Sequence, residues 1–421
     1  MIPRLECVQF RYTLPAATAR SVHRRGSRWN FLARVRPARG GNSRLRSHLG
    51  TTHARATDTR RRHGSKCLWH NTTRSIRERC SMVEQQTVTV VEGFVPVIDL
   101  SSRDNAAGRT TIAEAINRAC ASSGFFTIVG HGVPAELIER MCATNREFFA
   151  LPDTVKKRVA HRPGVSGFRR LGGSTAHSLD LKTPPDLCEV FSAHVTGDLP
   201  DKERDRLGDY WASWKLANVW PTVPADFEST WHEYMAAMTE LAGDLMRLFA
   251  LALDLEEHFF DRIFDNHVSS VAVNYYFPQH HSPLPGQLRR GEHTDWGSLT
   301  ILYQDTDIGG LQVRHGSGEW QDVPTIPGGF IVNIGDLMAL WTAGRWVSTM
   351  HRVINPELGN TSSRLSIPFF YLPDHDAAID PIGSFAGGDP DTFGITTAGQ
   401  WISRKMQKTF AEDPADYPSA D

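Results

Sequence analysis

No stretch of this chain holds the roughly 20 consecutive apolar residues that a membrane-spanning helix needs, although 40% of its 421 residues are hydrophobic. A globular chain with no membrane partner is the expectation. Cysteine is sparse: Cys7, Cys67, Cys80, Cys120, Cys142 and Cys188, with no Cys-x-x-Cys pair among them. That argues against a zinc knuckle and against a thioredoxin-type redox centre. The last three are too widely spaced for a disulfide framework and point to a reducing compartment, so a cytoplasmic location is expected. Internal repeats and low-complexity linkers are missing from the body of the chain as well, which excludes solenoids and arrays there.

The first 80 residues are poor in acids and lysine. They hold 18 Arg and one Lys against three acidic residues, a charge of +16, whereas the remaining residues hold 27 basic against 44 acidic, or −17. Residues 1–81 are dominated by Arg, Ser, Thr, Gly and His without apolar periodicity, so a disordered leader is expected. Three origins compete: an organellar transit peptide, which would move the protein into an organelle, a basic arm for nucleic acid, or upstream sequence translated from a start placed too early. The third is favoured, because so many arginines beside a single lysine look like GC-rich coding bias and Met82 opens a charge-balanced sequence. The acidic body argues against a nucleic-acid substrate, which needs a basic groove.

Within that body, His293-Thr-Asp295 places an imidazole and a carboxylate at i and i+2, on one face of an extended strand. Such a pair is weak evidence alone, since the chain has 18 histidines and a solvated strand end is the bland alternative. Downstream, Asn333-Ile-Gly-Asp336 opens a segment that reads as a strand, a turn at Gly344 and a second strand ending on His351. Arg364-Leu-Ser366 follows, again at i and i+2. Two imidazoles and one carboxylate form a facial set that suits Fe(II) and leaves positions open for O2 and a co-substrate. Asp336 is read as turn chemistry, His131 as structural in a Gly-His-Gly turn, and His280 and His281 as solvated or at a pocket mouth.

These residues, with Val273-Asn274-Tyr275-Tyr276, Phe94-Val-Pro-Val-Ile-Asp99, Ser123-Gly124-Phe through His131-Gly132, and Asn218-Val-Trp220-Pro221, resemble the isopenicillin N synthase-like branch of the Fe(II)/2-oxoglutarate-dependent dioxygenases. The resemblance covers about residues 90 to 410. It implies that His293, Asp295 and His351 ligate iron, that Arg364 and Ser366 take the distal carboxylate of 2-oxoglutarate, and that Asn274 and Tyr276, rather than Tyr275, complete the co-substrate pocket. Arg364 suits that role because a guanidinium meets a carboxylate at two points, which lysine cannot do.

One mixed α+β body is expected, with 82–265 as its N-terminal helical and strand portion and 266–421 as the catalytic core. Phe94 to Leu100 and Phe125 to Val129 read as strands, and Thr111 to Ser123 and Glu136 to Ala150 as helices. Gly124 stops the first helix. Tyr234, Met238, Leu241, Leu245, Leu248, Phe249 and Ala252 recur at helical spacing, which predicts a long helix from Phe227 to Asp254 with one buried face. From Val271 to Tyr371 short apolar runs alternate with Gly, Pro, Asn and Asp, as in a jelly roll. The predicted architecture is a double-stranded β-helix core flanked by N-terminal helices and closed by a C-terminal helix near Thr397 to Phe410.

The resemblance implies an oxygenase that uses Fe(II), 2-oxoglutarate and O2 to hydroxylate or desaturate a small organic substrate, releasing succinate and CO2; a monomer is expected. Two other readings are an oxidase of the same fold that does not use 2-oxoglutarate and a non-catalytic ligand-binding jelly roll. Phe168, Arg169, Arg170, Glu189, Phe191, Trp296 and Leu372 are candidates for the substrate wall by position.

Overall fold

A computed structural model describes residues 90 to 409, apart from 163, 174–183, 205–206, 208–216, 306–307 and 384–396. The Arg-rich leader, 1–81, lies outside the described residues. Thirteen strands are described: β1 Val90–Val91, β2 Val97–Asp99, β3 Phe125–Val129, β4 Phe168–Arg169, β5 Glu189–His194, β6 Ser270–Tyr276, β7 Arg290–His293, β8 Leu299–Gln304, β9 Leu311–Arg314, β10 Trp320–Asp322, β11 Phe330–Ile334, β12 His351–Val353 and β13 Arg364–Tyr371. The principal helices are α1 Ala106–Ser122, α2 Ala135–Ala150, α3 Phe227–Ala252, α4 Asp336–Trp341 and α5 Ala398–Thr409.

The strands form two sheets. One has nine strands in the order β1-β2-β3-β11-β8-β13-β6-β5-β4, the other four in the order β10-β9-β12-β7. All neighbours pair antiparallel except β2 and β3. Strands from before and after residue 265 share the larger sheet, so the two portions of the body hold one core between them.

Period-2 alternation decides which side chains face which layer. On β13, Leu365, Ile367, Phe369 and Tyr371 join the cluster that includes α1, α2 and α3, while Arg364, Ser366, Pro368 and Phe370 line a cavity. Every member of the apolar stripe read along α3 is buried. Helix α1 starts earlier than Thr111 because the Asn105 side chain accepts from the Gly108 amide at 2.7 Å, a cap that the sequence reading passed over. It stops as expected at Gly124, whose φ of +70° and close approach to Val347 leave no room for a Cβ. β2 is shorter than the expected strand, beginning only after Pro96, which has no amide proton.

One element differs in kind. Asp336 to Trp341 is a helix, not a turn between strands, and His351 begins β12 rather than ending a strand. Leu337, Met338 and Trp341 are all buried, and the steps of three and four residues to Trp341 fit one face of a helix.

Candidate metal centre and co-substrate cavity

β7 ends on His293, β12 begins on His351, and the antiparallel register sets the two residues opposite each other. Their ring centroids lie 4.2 Å apart. His293 Nδ1 lies 2.8 Å from the Gly291 carbonyl oxygen, and His351 Nδ1 lies 3.1 Å from that of Thr349. A carbonyl only accepts, so each Nδ1 carries the proton and each Nε2 keeps its lone pair. Both Nε2 atoms stand 3.8 Å from Asp295 Oδ1. The other carboxylate oxygen, Oδ2, accepts from Thr300 Oγ1 at 2.6 Å and from Asn333 Nδ2 at 2.8 Å. One oxygen is tied down, and the other faces the imidazoles. Asp295 itself lies just beyond the end of β7.

Three ligand atoms, one per residue, fall within 4.8 Å of one another. Burial, followed by the charges of His351 and Arg290, pushes His293 down to about 3. Burial would raise Asp295, but the two imidazoles and the bonds from Asn333 and Thr300 outweigh it and hold the carboxyl below its ordinary value. A neutral His293 beside an ionised Asp295 is the pair of protonation states that metal ligation needs. The donor set of two nitrogens and one oxygen fits Fe(II).

The same cavity contains Arg364, which is 0% exposed. Its Nη2 donates to Gln304 Oε1 at 2.7 Å, whereas Nε and Nη1 are buried without hydrogen-bond partners. Cross-strand register places Tyr276 opposite Arg364 and Asn274 opposite Ser366. The Arg364 guanidinium carbon sits 5.0 Å from the centre of the Tyr276 ring, and Asn274 Nδ2 donates to Ser366 Oγ at 3.4 Å. A buried guanidinium with open N–H groups fits a carboxylate ligand, because the charge is otherwise uncompensated in a poor solvent. Tyr275 points the other way and stacks on Phe149 at 5.1 Å.

All seven residues singled out for iron and co-substrate therefore line one cavity. The substrate-wall candidates divide. Arg169, Trp296 and Leu372 line it. Phe168 and Phe191 do not, being buried in an aromatic cluster in which Phe191 meets Phe148 at 5.2 Å and Trp231 at 5.1 Å. Glu189, on the same face of β5 as Phe191, is paired with Lys156 at 2.7 Å, and Arg170 lies outside the described lining. A one-residue shift along a strand moves a side chain to the other face, and position alone did not supply the register. Thr300, Asn333 and Gln304 were missed. Asn333 carried a misleading signal, since Asn-x-Gly-Asp resembles a turn. Asp336 stands outside the three-residue cluster and accepts from Ser348 at 2.7 Å and Lys405 at 2.9 Å. His131 is structural, its Nε2 lying 2.8 Å from the Gly328 carbonyl.

Residues 95–223 match the family described as the non-haem dioxygenase in morphine synthesis N-terminal domain, and residues 268–373 match the 2OG-Fe(II) oxygenase superfamily. Validamycin A dioxygenase of Streptomyces hygroscopicus subsp. limoneus is 35% identical over 303 residues, which cover 70% of this chain and 81% of that protein. Homoarginine-6-hydroxylase 2-ODD-C23 of Glycine max is 31% identical over 339 residues, covering 76% and 98%. Among solved structures, a full-length Neurospora crassa protein in complex with alpha-KG and thymine superposes with a TM-score of 0.64 at 25% identity, covering 76% of this chain and 99% of that one.

Proposed function

Since the chain belongs to the 2OG-Fe(II) oxygenase superfamily and is an Fe(II)- and 2-oxoglutarate-dependent oxygenase, we propose that His293, Asp295 and His351 hold its iron and that Arg364, Ser366, Asn274 and Tyr276 hold its 2-oxoglutarate. What carries this assignment is one cavity that contains both the three-ligand cluster and a buried arginine with two unpartnered nitrogens. When bound, iron, 2-oxoglutarate and O2 supply the oxidising power, which is spent on hydroxylating or desaturating a small organic substrate with release of succinate and CO2.

The chain's own residues bind, orient and exclude water. Gly291 and Thr349 fix the imidazole tautomers through their carbonyls, and Thr300 with Asn333 fixes the carboxylate. Arg364 supplies a forked cation for the distal carboxylate of the co-substrate, with the Ser366 hydroxyl as a further donor. Phe125, Leu302, Leu311 and Val353 give the cavity apolar walls that keep water from the site.

The relatives are named for different compounds, so none of these is carried over as the substrate. On the −17 charge of the body and its widely spaced cysteines, we propose a monomer working in the cytoplasm on neither nucleic acid nor membrane. The test is anaerobic addition of Fe(II) and then 2-oxoglutarate to the purified chain. A weak visible charge-transfer band should appear with both and with neither alone, and aerobic turnover should yield succinate. No band and no succinate would sink the assignment.

A further inference from the structure

A row of side chains crosses the nine-stranded sheet at the level of the metal centre. Asn333 pairs with Thr300, Thr300 with Phe370, Phe370 with Ser270, and Ser270 with His194. All five line the cavity. At one end Asn333 and Thr300 hold Asp295. At the other end stands His194, three strand spacings from Thr300, which is about 14 Å.

That far end is polar. Arg169, on β4, faces the cavity there and donates to Ser192 Oγ at 3.3 Å, with its Nη2 3.1 Å from the ring nitrogens of His161. His194 Nδ1 is buried without a hydrogen-bond partner. Burial, reinforced by the charge of Arg169, pushes His161 down to about 3 and His194 to about 4. One fixed cation is thus flanked by neutral imidazoles, each carrying one N–H. The middle of the row is apolar, with Phe370 beside Leu372 and Ile402.

The other cations of the cavity have separate roles. Arg290 is paired with Asp186 at 3.2 Å, and Arg364 belongs to the co-substrate. Among the described lining residues the sole carboxylate is Asp295, so the described residues of the His194 end offer an ammonium group no countercharge and set the Arg169 cation against it. A guanidinium beside hydroxyl and imidazole donors matches a carboxylate instead.

We propose that Arg169, His194 and Ser192 form the carboxylate-recognition end of the primary-substrate site, so that the substrate is a small elongated organic acid whose apolar part lies along Phe370 and Leu372 toward the metal centre. The inference rests on the metal-centre assignment only for which end of the row reacts.

To test it, the full chain is loaded anaerobically with Fe(II) and saturating 2-oxoglutarate. It is then titrated calorimetrically with hexanoate, octanoate and 4-phenylbutanoate, each beside its primary amide and the amine of the same skeleton, while the visible band is followed. At least one acid should bind at least tenfold more tightly than its own amide and amine with the band retained. Arg169→Gln should abolish that preference, and Arg169→Lys should keep part of it. If Arg169→Gln fails to fold by circular dichroism, His194→Leu replaces it, with a preference reduced at least threefold expected. The proposal is overturned if no acid is preferred, if the preference survives in the folded Gln or Leu variant, or if acids bind only by displacing 2-oxoglutarate and erasing the band. Absence of the band before any acid is added counts against the metal-centre assignment alone, and the acid preference is then judged from the heats.

Discussion

Asp295 is oriented by its neighbours independently of any ligand. Thr300 and Asn333 occupy its Oδ2, so only Oδ1 is turned toward the two Nε2 atoms. Removing one of these donors frees the carboxylate to rotate. Asn333→Ala should therefore weaken Fe(II) binding about 10- to 100-fold, the usual effect of losing an outer partner of a metal ligand, while the fold persists. Anaerobic Fe(II) titration monitored by calorimetry reads this directly, and an unchanged affinity would refute the positioning role. Arg364→Lys is expected to act on the other ligand. Iron binding should be retained, but the 2-oxoglutarate requirement should rise about 10- to 100-fold, because a charged hydrogen bond worth about 1.5–3 kcal/mol is lost with the fork. A dependence on 2-oxoglutarate that stays at the wild-type value would instead favour an oxidase that places some other carboxylate against Arg364.

At the scale of elements, Lys156 fastens the turn after α2 to β5 through its ion pair with Glu189, both side chains being buried. Lys156→Met leaves that carboxylate stranded, which should cost about 3–5 kcal/mol, and adding Glu189→Leu should restore most of it. Burial already raises Glu189 against the pull of Lys156. Without Lys156 the folded chain keeps a proton there that the unfolded chain releases above about pH 4.3, so stability falls as pH rises. Thermal unfolding should show a wider gap between wild type and Lys156→Met at pH 8 than at pH 5, and an equal gap would refute the account. The same strand shows what the sequence could convey. Strand periods, and with them the turning of Tyr276 rather than Tyr275 into the cavity, were legible because Arg364-x-Ser366 and Asn274-x-Tyr276 each span a two-residue step. Glu189 and Phe191 were misplaced because the phase of β5 depends on its pairing with β6, which no local pattern states. Helix α4 was hidden by turn-forming residues at its start, although its buried Leu337, Met338 and Trp341 carried the period.

For the whole molecule, the opposition between a +16 leader and a −17 body bears on solubility more than on folding. A chain beginning at Met82 should unfold within about a degree of the full chain, since nothing before that residue has the apolar pattern needed to join a core. A midpoint lowered by several degrees would show that the leader packs on the body. The architecture was legible at this scale because iron, co-substrate and strand signals share one stretch, Val271 to Tyr371, whereas the contacts made by Thr300, Asn333 and Gln304 exist only once β8 and β11 lie beside β13 and β3. The placement of the two halves of the cavity carries one more consequence. The residues proposed for the co-substrate sit on β13 and β6 inside the large sheet, while the proposed acid-binding wall sits on β5 and the two-residue β4 at its margin. Descendants of this gene can thus acquire new diets by exchanging a few side chains at the rim, inheriting the combustion chamber unaltered.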